Sequence, residues 1–81
     1  MESQTDKFDV GEIKKELIST TLKDIYDALK ERGYDPINQI VGYLISGDPG
    51  YISNYKESRN KILDFDRSEI TALILEKYLD K

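Results

Sequence analysis

The groups that could do chemistry in this 81-residue chain are sixteen carboxylates, twelve lysines and arginines, six tyrosines and one Gly47-Asp48-Pro49-Gly50 turn. Cysteine and histidine are absent. Without cysteine there is no disulfide framework and no thiolate metal site. Without histidine the commonest general base, metal ligand and pH switch are missing. The carboxylates never fall at the spacing of a twelve-residue calcium loop. A catalytic carboxylate pair would also need a cleft, which short helices rarely enclose. Gly47-Asp48-Pro49-Gly50 lacks the lysine and the spacing of a phosphate-binding loop, so it reads as a turn between helices. The expectation is a protein that is not an enzyme and takes no cofactor or metal.

Two other patterns could carry function. Lys56, Arg59, Asn60 and Lys61 would share one short helix after a turn, which could be drawn as a small helix-turn-helix that binds DNA. Glu57 interrupts that patch, Asp64 and Asp66 follow it, and the net charge of −4 argues against broad phosphate binding. Nucleic acid is therefore the alternative rather than the first choice. The second pattern is Thr5, flanked by Glu2, Ser3 and Asp6. A threonine in an extended tail can enter a kinase site and gain a phosphate of about −2 charge. On the residues alone, the plainer reading is that Thr5 is solvated.

The elements that must position these groups follow from periodicity. Residues 1–9 hold only Met1 and Phe8 as large apolar groups and read as a flexible N-terminal tail before a helical domain over 10–81. Asp9 with Glu12 suits a capping box. Val10, Ile13, Leu17, Leu22, Ile25 and Leu29 then recur at helical spacing up to a cap at Gly33. Asp35 can cap a second helix with Pro36 at its first position. Ile37, Ile40, Val41, Leu44 and Ile45 form its stripe, with Tyr43 to one side. Gly42 inside that helix suggests the close approach of another backbone. After Asp48-Pro49 a third helix is expected from about Asn54, with Tyr55, Ile62, Leu63 and Phe65 as its apolar contacts. Asp66 with Glu69 would then cap a last helix whose inner face is Ile70, Leu73, Ile74, Tyr78 and Leu79. The fold class is all-α: a small bundle of about four helical segments.

With 38% hydrophobic residues, so short a chain buries only roughly 60–65% of its unfolded surface. A second copy is a common remedy, so a homodimer is expected. The stretch from Tyr34 to Ile52 has two aspartates and no lysine or arginine. Ile37, Ile40, Val41, Tyr43 and Leu44 are its candidates for core and dimer interface, undivided between the two. No run approaches the length of a membrane span and no signal peptide is evident, so the expected location is cytoplasmic.

Gly33-Tyr34-Asp35-Pro36-Ile37-Asn38-Gln39-Ile40-Val41-Gly42-Tyr43, followed by Ser46-Gly47-Asp48-Pro49, resembles the signature of the IreB family. These are small cytoplasmic regulators of low-GC Gram-positive bacteria. The likeness continues through Tyr51-Ile52, Ser58-Arg59-Asn60 and the ending at Tyr78-Leu79. Asp35 stands where the family usually has asparagine, and both residues cap helices well. The resemblance implies a helical homodimer with a flexible N-terminus. It implies a substrate and effector of a transmembrane Ser/Thr kinase, reversed by a cognate phosphatase and acting on an unknown downstream target. It also implies a negative role in cell-wall stress signalling and cephalosporin resistance. Thr5-Asp6-Lys7-Phe8 matches the context of one family phosphoacceptor. Where the resemblance places the other acceptor the chain has Glu2, so Thr5 is the single matched site.

Overall fold

A computed structural model describes residues 4–80, with side chains described from Gly11 onward. Four α-helices and two short 3-10 turns account for its regular structure: α1 (Gln4–Glu31), α2 (Pro36–Ser46), a turn at Pro49–Tyr51, a turn at Tyr55–Glu57, α3 (Ser58–Ile62) and α4 (Arg67–Leu79). The all-α expectation holds.

The helical backbone of α1 begins at Gln4, ahead of the cap anticipated at Asp9. No glycine or proline lies between Gln4 and Val10 to stop it, and Asp6 and Asp9 suit the positive end of a helix dipole. The tail expected over residues 1–9 thus overlaps the start of α1, and its residues 1–3 lie outside the described part. The other end stops where expected. Gly33 adopts φ +90, and the Tyr34 amide donates to the Leu29 carbonyl at 3.0 Å. Glycine meets no Cβ penalty in that left-handed conformation.

The core joins Ile18, Ile25 and Leu29 of α1 to Ile40 and Tyr43 of α2, Ile52, Ile62 of α3, and Ile70 and Leu73 of α4. Burying each such side chain contributes about 1.5–3 kcal/mol. Leu22, Leu44 and Phe65 pack against its edge. Among the described side chains, every core residue of α1 lies at or beyond Ile18. Ile13 and Leu17, expected on the inner stripe, are exposed. The reason is length: 28 residues make a rod of about 42 Å, whereas α2 and α3 are far shorter. Beside the N-terminal part of α1 lie α4 and the Asp64–Phe65 segment before it, and there Lys14 meets Glu69 at 2.8 Å and Lys15 meets Glu76 at 3.0 Å. The molecule is accordingly elongated, 48 × 23 × 23 Å.

The same geometry corrects the inner face predicted for the last helix. Asp66 and Glu69 do form its capping box, the Asp66 amide donating to Glu69 Oε1 at 3.3 Å. Ile70 and Leu73 are buried, but Ile74, Tyr78 and Leu79 are exposed. The second half of α4 runs on past the core cluster, whose last member is Leu73.

The third helix also starts later than the spacing suggests. Lys56 and Glu57 take left-handed φ values of 53 and 64, which interrupts any helix from Asn54. Such conformations cost about 1–3 kcal/mol each and persist only where neighbours hold them. Here Asn54 Oδ1 accepts from the Arg59 amide at 3.1 Å, the buried Ser58 hydroxyl donates to the Tyr55 carbonyl at 2.7 Å, and Lys56 reaches Glu31 at 2.8 Å.

Candidate functional site

Helix α2 and the turn after it form the most distinctive surface. Its start is set by Asp35, whose side chain accepts from the Asn38 amide at 3.2 Å and from Asn38 Nδ2 at 2.8 Å. Pro36 occupies the first turn, where its missing N–H is no loss. Its end is set by Gly47 at φ +80, whose amide donates to the Tyr43 carbonyl at 2.7 Å. Arg67 packs over Gly47 and donates from Nη1 to the Leu44 carbonyl at 3.1 Å. Between these caps the sequence PINQIVGYLIS holds no charged residue.

The structure divides the five candidate positions. Ile40 and Tyr43 are core, and Leu44 leans on the core's edge. Ile37 and Val41 face outward, 58% and 44% exposed. Ile45, which continues their i, i+4, i+8 row, is 79% exposed and belongs with them. The sequence stripe is wide enough for two faces, and spacing alone cannot say which one the bundle covers.

The chain leaving α2 is stitched back to it. Gln39 Nε2 donates to Ser53 Oγ at 3.2 Å, and the Ser53 amide donates to Gln39 Oε1 at 2.9 Å. Asp48 caps the Pro49–Tyr51 turn by accepting from the Gly50 amide at 2.8 Å. The Tyr51 ring then comes to rest on Gly42. Gly42 does mark a close approach, but from an aromatic side chain rather than the backbone expected. Tyr51 is a member of this surface that the helical period could not reveal, because it arrives from outside the helix.

Arg59, Lys56, Asn60 and Lys61 do not assemble into a reading face. Arg59 Nε is committed to two carbonyls, Pro49 at 3.1 Å and Ile52 at 2.8 Å. Lys56 pairs with Glu31, and Asn60 Nδ2 donates to Glu57 Oε1 at 2.6 Å. Helix α3 is only five residues long, short for a major-groove helix. These commitments count against the helix-turn-helix alternative.

Ion pairs supply the perturbed titrations. The Lys14 ammonium, hydrogen-bonded to Glu69, holds that carboxyl below its ordinary range, and Lys56 does the same to Glu31. Lys14, Lys15 and Lys56 are raised in turn, chiefly by hydrogen bonds to Glu69, Glu76 and Glu31. All lie at the surface, where such pairs typically contribute little. A groove of about 260 Å³ between α1 and α4 is lined by Ile18, Ala72 and Leu73 and edged by the Lys14–Glu69 and Lys15–Glu76 pairs. Among the described residues no group of carboxylates is arranged to hold a metal ion, and no helix is long and apolar enough to cross a membrane.

Thr5 lies on the helical backbone of α1, and its side chain falls outside the described ones. Residues 3–80, nearly the whole chain, match the family model described as IreB regulatory phosphoprotein.

Proposed function

This chain belongs to the IreB family of regulatory phosphoproteins, and on that premise we propose that it is a cytoplasmic homodimeric relay without catalysis of its own. Its input is a transmembrane Ser/Thr kinase, reversed by a cognate phosphatase. Its output is restraint of a cell-wall stress response that underlies cephalosporin resistance, through a downstream target that binds the protein. The observation that carries this reading is the family match from residue 3 to residue 80, within which Thr5-Asp6-Lys7-Phe8 supplies the phosphoacceptor context. Thr5 Oγ1 receives the γ-phosphoryl group of ATP, ADP leaves, and the hydroxyl proton is released.

Charge supports self-association through α2. In a two-fold dimer the same patch meets itself, so any charge near the axis faces its own copy. For a chain with net charge −4, a self-complementary face is best built from an uncharged element. Helix α2 carries no Asp, Glu, Lys or Arg, and its outer row is Ile37, Val41 and Ile45. A different partner could match charge with opposite charge and would have no need of such a face.

Incubation with the kinase domain of a wall-sensing Ser/Thr kinase and ATP, followed by mass-spectrometric mapping, tests the input. Phosphate is expected on Thr5 and is expected to vanish in Thr5→Ala. An active kinase that leaves residues 1–10 unmodified would remove Thr5 from the mechanism.

A further inference from the structure

Tyr51 is 53% exposed, and yet its ring is seated on Gly42 and its backbone is fixed on both sides. A Cβ added to Gly42 would stand 2.5 Å from Tyr51 Cδ1 and 2.9 Å from Cγ, so the ring occupies the notch that the glycine leaves. The backbone is fixed before it, where Asp48 caps the turn, and after it, where Ile52 is fully buried. Arg59 Nε spans the two sides, donating to the carbonyls of Pro49 and Ile52. On α2, Gly42 follows Val41 directly and precedes Ile45 by three residues, so the ring stands beside the exposed apolar row.

An aromatic side chain already fixed in place loses little freedom when a partner covers it. Such residues supply most of the energy of an interface. Resting on the self-association read above, we propose that Tyr51 is the aromatic anchor of the contact between two copies of this chain, with Gly42 as its seat and Arg59 as its positioning residue. A second copy is the occupant because residues 36–47 carry no charged side chain of their own, with Arg67 reaching only the Gly47 end, so that the Ile37–Val41 side can meet itself. Alanine at position 42 would leave α2 helical but evict the ring.

Sedimentation equilibrium of the full chain over a concentration series, with circular dichroism melts alongside, tests this. Tyr51→Ala is expected to raise the dimer Kd by about tenfold or more at unchanged helicity, and Tyr51→Phe to keep most of the affinity. Gly42→Ala is expected to weaken association while helicity is kept, because alanine is the better helix former. Arg59→Ala should lower the melting temperature in any background, yet raise Kd no further once Tyr51 is alanine. If Tyr51→Ala leaves Kd within about twofold while Val41→Asp separates the copies, the anchor is overturned and the α2 face survives. If the unmodified chain sediments as a monomer throughout, the self-association reading falls and the anchor with it.

Discussion

Helices α2 and α4 have the same plan and different neighbours. Each follows an aspartate, each buries one narrow row in the common core, and each keeps a second apolar row outside it. On α2 that outer row is Ile37, Val41 and Ile45, in a helix without charge. On α4 the exposed Ile74, Leu75, Tyr78 and Leu79 share the helix with Arg67, Glu69, Glu76 and Lys77, two of which are tied to α1 by ion pairs. Surplus apolar surface is therefore common to both. What separates them is whether the surface between apolar groups could face a copy of itself.

The largest effect should come from the row the two helices share. Ile70→Ala on α4 removes a side chain with no exposed area and should cost about 2–5 kcal/mol, read as a drop in urea midpoint. That is much of the stability of so small a domain, so partial unfolding at 37 °C is the expected result.

The comparison itself is tested by charge on the outer rows. Val41→Asp should keep the helicity and raise the dimer Kd by about tenfold or more, because two like charges would meet near the axis. Leu75→Asp on α4 should leave Kd within about twofold, as a surface change with small effect. Equal loss from both, read by sedimentation, would extend the self-association surface onto α4 and end the distinction.

The smallest effect is one of pH. Glu69 and Glu31 have folded pKa values depressed by Lys14 and Lys56. Their contribution to stability is thus present above the unfolded carboxylate pKa and is lost as pH falls through the depressed folded value. Because both pairs are exposed, the melting temperature should fall only slightly on this account. Hydrogen exchange in α4 should quicken before that in α2, which carries no Asp, Glu, Lys or Arg.

Much of this was legible in the sequence, and the rest was hidden for definite reasons. Asp35-Pro36, Gly33, Gly47 and Asp66…Glu69 announce helix boundaries through local chemistry, and the structure uses all of them. Ile13, Leu17, Ile74 and Tyr78 follow the right period yet lie outside the core, because period reports a face and not what covers it. Lys56 and Glu57 give no local sign of left-handed backbone; contacts from Glu31, Asn54 and Ser58 impose it. On the candidate surface, Gly42 signalled a close approach, but its partner comes from nine residues further along the chain, where no helical wheel could place it.

The length of α1 has a consequence for how a phosphate on Thr5 would act. From Thr5 to Ile25, where α1 shares the core with α2, the helix rises about 30 Å. At physiological ionic strength the field of an exposed charge decays over a Debye length of about 8 Å. Within one chain, a phosphate on Thr5 therefore exerts almost no electrostatic force on the α2 face. On the proposed reading, such a phosphate would act on what binds that end of α1, and not through its field at α2.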